Sequence, residues 1–163
     1  MNPDDPTVYD ASFDEQVRAF IDQHRAMLAG SLDGLTEDEA RRSLVPSRTT
    51  LLGLVKHAAF VERVWFGEAA TGVPRLEMGL PATPDESFVL TAEDTIASVL
   101  AAHAAAVADS RAAVEGLTHE AVFPGNKRGP LPLRWIQLHV LRELAQHCGH
   151  AEILREQILA ARG

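Results

Sequence analysis

The sequence predicts an all-α protein that folds as a four-helix bundle. Apolar residues recur at helical spacing in four long segments, glycines and prolines gather between those segments, and none of them shows the alternation typical of a β-strand. Four amphipathic helices bury their apolar stripes most economically against one another. The length of 163 residues suits one domain. We therefore expect residues 1–163 to form one bundle domain, with 1–11 as a loose N-terminal tail.

The first two long helices are predicted at residues 12–32 and 49–70. Gly34 ends the first helix, and Gly72 with Pro74 ends the second. Seven residues recur at steps of three, four and seven and form the predicted apolar stripe of the first helix: Phe13, Val17, Phe20, Ile21, Met27, Leu28 and Leu32.

The third and fourth long helices are predicted at about 91–116 and 132–159. The third starts at a capping pattern formed by Thr91 and Asp94, and proline suits the first turn of the fourth. The connection over residues 73–91 contains several prolines and no helical period. It is long enough to cross over the bundle, so we expect a crossover between the second and third helices.

Composition narrows the range of partners. The net charge of −8 repels nucleic acid backbones, so we expect a small-molecule substrate and no nucleic acid partner. No apolar run reaches the length of a membrane span, which predicts no membrane association. The first ten residues lack the features of a secretory signal, so we expect a cytoplasmic protein. The single cysteine, Cys148, excludes an intrachain disulfide and is expected to be a buried, inert thiol.

Polar residues interrupt the apolar faces of the second and fourth helices. Glu143 and His147 lie four residues apart on the apolar side of the fourth helix, and His57 lies between Leu54 and Val61 on the second. An unpaired carboxylate or imidazole is costly to bury, so these groups need partners. If the two helices are neighbours, the three side chains can hold one divalent metal ion and leave a position open. The alternative is that they hydrogen-bond to one another without a metal.

Other side chains have weaker indications. His139 is a packing residue or a partner of the Glu143 carboxylate. Trp65 and Trp135 are expected in the core or in a pocket wall. Three histidines are expected in structural or surface positions: His24, His103 and His119. Four arginines are candidates for binding an anionic substrate: Arg42, Arg63, Arg134 and Arg142.

Three segments resemble the DinB-like superfamily, and the resemblance covers nearly the whole chain. They are residues 49–57 (TTLLGLVKH), 61–66 (VERVWF) and 133–156 (LRWIQLHVLRELAQHCGHAEILRE). This superfamily of four-helix metal-binding proteins includes mycothiol-dependent maleylpyruvate isomerase and bacillithiol-transferase-like proteins. In particular, the chain resembles a branch that is common in actinobacteria and mostly of unknown function.

The resemblance implies one histidine ligand from the second helix and two ligands four residues apart on the fourth. His57, Glu143 and His147 match that pattern in its isomerase-like form. The H-x-x-x-H-R-G-Q signature of other members is absent, because His150 follows His147 by three residues. His150 is therefore a candidate fourth or exchanged ligand, or a proton-transfer group.

The resemblance also implies a function. A divalent metal ion, zinc or nickel, would activate a mycothiol-type thiol for an S-transferase or isomerase reaction, with mycothiol as co-substrate. A metal-dependent hydrolase, and a non-catalytic metal-binding or stress-response module, are the alternatives. A homodimer formed through helix faces is the expected assembly.

Overall fold

The computed structural model describes residues 3–162 and confirms the all-α prediction. A π-helical segment spans Arg63–Glu68, and a 3-10 turn spans Glu86–Phe88. The α-helices are α1 (Pro6–Tyr9), α2 (Phe13–Gly30), α3 (Glu37–Ala40), α4 (Leu51–Glu62), α5 (Ala69–Thr71), α6 (Ile96–Ala113) and α7 (Leu133–Ala160).

Side chains cap the starts of α2, α4 and α6, whereas α7 begins after Pro132 without a side-chain cap. Ser12 and Glu15 form a capping box at α2, and the Thr50 side chain accepts a hydrogen bond from the backbone of Gly53 at α4. The helix α6 begins later than predicted because Thr95 is its cap. The Thr91–Asp94 pattern instead closes the preceding turn.

The core lies between two helix pairs. The helix α2 packs against α7, and α4 packs against α6 while also contacting α7. The contact of α4 with α7 brings the two predicted metal-binding segments together. The connection between α5 and α6 contains the 3-10 turn, which packs against α4. Its predicted course as a crossover stays a prediction.

The predicted apolar stripe of α2 is wider than the face that the bundle buries. Phe13, Phe20 and Met27 are 49%, 45% and 42% exposed, whereas Val17 and Leu28 are buried. The three exposed residues are spaced by seven along one edge of the helix. Periodicity alone therefore overestimated the buried face.

One prediction, at the N-terminus, differs in detail from the structure, and one small element was not predicted. Residues 6–9 are not a loose tail, because Asp5 caps the short helix α1 and Val8 is buried; residues 1 and 2 lie outside the described range. A small antiparallel pair joins β1 (Val122–Phe123) to β2 (Leu131–Pro132). Strands of two residues are too short to show an alternating pattern in the sequence.

Within residues 3–162, no helix is both long and apolar enough to cross a lipid bilayer.

Candidate metal centre

The structure brings the three predicted ligands together. One ring nitrogen from each of His57 and His147 and a carboxylate oxygen of Glu143 all lie within 4.8 Å of one another. Around a tetrahedral zinc ion with bonds of about 2.1 Å, ligand atoms are roughly 3.4 Å apart. Small rotations of the side chains therefore suffice to bring these atoms to coordination distance.

A serine from the 3-10 turn orients His57. The ring atom Nδ1 lies 2.6 Å from Ser87 Oγ, and the Ser87 hydroxyl donates its proton to the carbonyl of Pro84 at 2.5 Å. Because that proton is already engaged, Nδ1–H of His57 donates to Ser87, and Nε2 keeps its lone pair. The Phe88 ring stacks on the imidazole with a centroid distance of 4.1 Å. Ser87 thus selects the tautomer that can bind a metal.

Burial keeps His57 neutral. The side chain is buried, and this desolvation, reinforced by nearby His147 and opposed by Glu143, lowers the pKa of His57 to about 4. A neutral imidazole is the form that coordinates a metal. At neutral pH no proton competes for Nε2.

His147 is half-buried, but both of its ring nitrogens are buried and have no hydrogen-bond partner among the described residues. The Nε2 atom is 3.8 Å from Glu143 Oε2, too far for a hydrogen bond. Its ring meets the His57 ring edge-on at a centroid distance of 4.8 Å. Desolvation lowers the pKa of His147, and the His150 ring adds to this effect while Glu143 opposes it. Each unsatisfied buried polar atom costs about 1–3 kcal/mol, so this residue fits a metal ligand better than a packing residue.

The two oxygens of the Glu143 carboxylate have different neighbours. Its Oε1 accepts a hydrogen bond from Arg142 at 2.8 Å, and its Oε2 is the oxygen nearer to His147. His139 lies next to it, with Nε2 3.8 Å from Oε1, and its ring stacks on Trp135 at 5.1 Å. His139 therefore packs beside the carboxylate without a direct hydrogen bond to it.

Two further residues of α7, His150 and Cys148, lie outside the cluster of three ligands. His150 is exposed, and its ring centroid is 5.8 Å from that of His147. It is not part of the three-residue cluster, and its role in proton transfer stays a prediction. Cys148 is buried as predicted and donates to the carbonyl of His24 at 3.5 Å. Burial, with a contribution from Glu152, raises the pKa of the Cys148 thiol to about 11.

The other predicted histidines lie outside the cluster. His24 bonds to the carbonyl of Phe20 within its own helix. His119 pairs with Asp14, which ties the loop before β1 to α2. His103 is buried in α6.

A cleft of about 500 Å³ opens beside the three ligands. His57 and Glu143 line its inner wall, and Trp65 of the π-helical segment also contributes. π-helical turns are frequent at functional sites because the extra residue shifts the register of the side chains. Four cationic side chains line the same cleft: Arg75, Lys127, Arg128 and Arg142.

Of the four predicted anion-binding arginines, Arg142 alone lines this cleft. Arg63 faces a separate cavity, and Arg134 pairs with Glu120 on the surface. No periodicity or spacing in the sequence indicated the loop cations Lys127 and Arg128. The adjacent basic pair between Gly125 and Gly129 was the one available hint. A second cavity, of about 470 Å³ between α2, α6 and α7, contains none of the three ligands.

A family model described as mycothiol-S-transferase matches residues 16–160, a span that includes all three candidate ligands and the whole cleft. The comparison with curated proteins returned no match.

Proposed function

We propose that this chain, which belongs to the mycothiol S-transferase family, a DinB-like family, is a metal-dependent enzyme that transfers a mycothiol-type thiol to a carbon electrophile. The observation that carries the proposal is the pair of buried ring nitrogens of His147, which have no hydrogen-bond partner among the described residues and belong to the same cluster as His57 and Glu143. A structural cluster of this kind would be expected to satisfy its own polar atoms.

The three side chains suit a divalent metal. Two imidazoles and one carboxylate are a ligand set typical of zinc, and imidazole also suits nickel. His57 would bind through Nε2, because Ser87 holds its Nδ1 proton. A bound divalent ion supplies positive charge that lowers the pKa of a thiol, so that the nucleophilic thiolate is present at neutral pH.

The residues around the ligands define where the reaction takes place. Trp65 and His139 form one wall of the cleft, and Phe60 and Val64 line it below. These apolar and aromatic surfaces offer packing contacts to the apolar parts of the thiol and the electrophile. In the transfer step a C–S bond forms while the leaving group departs with its bonding electron pair. The thiol proton is released to solvent.

The test is turnover by the metal-loaded protein. We expect conjugation of mycothiol to 1-chloro-2,4-dinitrobenzene above the uncatalysed rate, with loss of the excess rate in His147→Ala and Glu143→Gln. His119→Ala is the matched control, because His119 pairs with Asp14 outside the cleft. Turnover in His147→Ala equal to that of the control would refute the proposed function.

A further inference from the structure

We propose that the cleft beside the three ligands selects electrophiles that carry a carboxylate group. This inference rests on the proposed thiol transfer and adds the class of its second substrate. It depends on the charges of the side chains that line the cleft and on how many of them are already paired.

Two of the four cations in the cleft are neutralised by neighbouring carboxylates. Arg75 binds Glu68 through two nitrogens, at 3.0 and 2.7 Å from Oε2. Arg142 donates to Glu143 at 2.8 Å. Glu68 and Glu143 are the two carboxylate residues that line the cleft, so both are accounted for by these pairs.

The other two cations have no acidic partner. Lys127 and Arg128 form no ion pair with any described residue, and both are exposed. The Arg128 guanidinium lies 5.9 Å from the ring centroid of Trp65 and 5.8 Å from that of Trp135. Contact with the aromatic faces stabilises the cation without neutralising its charge. The cleft therefore has an excess of two positive charges at this loop.

The loop that carries these cations has a fixed conformation. Gly125 donates to the carbonyl of Ala69 at 2.8 Å, and Gly129 donates to that of Asn126 at 2.8 Å. Gly125 has a φ of 82°, and a Cβ at this position would lie 1.6 Å from the Gly129 carbonyl oxygen. Glycine is thus required here. The turn holds the backbone of Lys127 and Arg128 beside the cleft before any ligand arrives, so that binding has to order only their side chains.

The positive charge at this loop is opposite in sign to the net charge of the chain. At a net charge of −8 the surface as a whole repels anions. Mycothiol is a sugar-linked thiol with no carboxylate or phosphate group, so it leaves the two cations without a partner. A carboxylate on the electrophile supplies that partner. The carboxylate takes no part in bond making, and it orients the reactive carbon toward the sulfur.

Binding can be measured without metal, thiol or turnover. The two tryptophans of the chain are the rings beside Arg128, so intrinsic fluorescence reports on this part of the cleft. We expect succinate to change the fluorescence with a Kd at least about tenfold lower than that of its neutral analogue succinamide, since a charged hydrogen bond contributes about 1.5–3 kcal/mol. Equal responses to the two compounds would overturn the inference.

Substitutions of Lys127 and Arg128 test whether this loop causes the preference for succinate. Lys127→Gln and Arg128→Gln should each weaken succinate binding by roughly tenfold, and Lys127→Gln leaves the contact of Arg128 with the two tryptophans in place. Arg42→Gln is the matched control, because Arg42 is exposed and does not line the cleft. The same loss in Arg42→Gln would show an effect of bulk charge and would overturn the inference.

A kinetic comparison separates this inference from the proposed function. Iodoacetate and iodoacetamide alkylate a thiolate in the same way, with loss of iodide, and differ in charge. For each compound, kcat/KM is divided by the rate constant of its uncatalysed reaction with the thiol. We expect this ratio to be higher for iodoacetate than for iodoacetamide, and we expect Arg128→Gln to abolish the difference. Succinate binding without turnover of either compound refutes thiol transfer and leaves the charge selection supported. Turnover of both without preference refutes the charge selection.

Discussion

Replacing Ser87 by alanine removes the group that fixes the His57 tautomer. Ser87 is 1% exposed and accepts the Nδ1 proton at 2.6 Å, so no bulk water takes its place in the variant. Without Ser87, Nδ1–H has no acceptor. The tautomer with its proton on Nε2, the atom that faces the other ligands, is then favoured. Metal binding has to reverse that shift and leave a buried N–H without a partner.

The expected cost is a loss of metal affinity. An unsatisfied buried N–H costs about 1–3 kcal/mol, and removal of a group that supports a histidine ligand typically lowers metal affinity by roughly 10–100-fold. The two estimates agree, since tenfold corresponds to about 1.4 kcal/mol. The assay is zinc titration at pH 7 in competition with a chromogenic chelator. Protonation does not contribute at that pH because the pKa of His57 is about 4.

Ser110→Ala is the control for this experiment. Ser110 is also buried, at 2% exposure, and its hydroxyl donates to the carbonyl of Ala106 within α6 at 2.9 Å. Ser110→Ala removes the same atom from a site that lies outside the cleft. If Ser87→Ala and Ser110→Ala bind zinc with equal affinity, the assignment of the tautomer to Ser87 is wrong.

Three further predictions concern stability and reactivity. Glu62→Ala removes the two hydrogen bonds, at 2.8 and 2.6 Å, that the buried Arg25 donates to Glu62, and leaves Asp22, at 2.8 Å, as the remaining partner of Arg25. Urea unfolding should show a loss of about 3 kcal/mol, and a loss no larger than that of the surface variant Glu120→Ala would contradict this. The free energy of unfolding of the metal-free protein should fall from pH 7 to pH 5, because His57 takes up a proton below about pH 6.5 in the unfolded chain but, with a pKa of about 4, not in the folded one. The stability that the neutral His57 contributes is complete above about pH 6.5 and is lost as the pH falls toward 4. A His57→Phe variant with an unchanged pH slope would count against this prediction. Cys148, with its pKa raised to about 11, should react slowly with a disulfide reagent at pH 8 in the native protein and rapidly in urea; fast native labelling would show that the thiol is accessible.

The sequence was sufficient for the helices because their signals are periodic. Capping residues such as Ser12 and Thr50 and terminal glycines such as Gly72 set the helix ends to within a few residues. The exposed edge of α2 was the main error. A sequence states which positions are apolar, but the partner helix decides how wide a stripe is buried.

The candidate site was also predictable only in part. His57, Glu143 and His147 were detectable because each places a polar group on an apolar helix face, although their convergence came from the family resemblance. Ser87 and Arg128 lie in connections without a period, and their contacts join residues far apart in the chain: Ser87 meets a residue 30 positions earlier. Such contacts depend on how loops pack against helices, which no local pattern encodes.

The most direct test of the metal centre is the metal content of the purified protein. We predict close to one zinc or nickel ion per chain in the wild type by elemental analysis, and close to none in His57→Ala and His147→Ala, while His24→Ala, which alters a histidine outside the cluster, keeps the wild-type content. A wild-type protein that carries no metal and binds none when zinc or nickel is supplied would contradict the account.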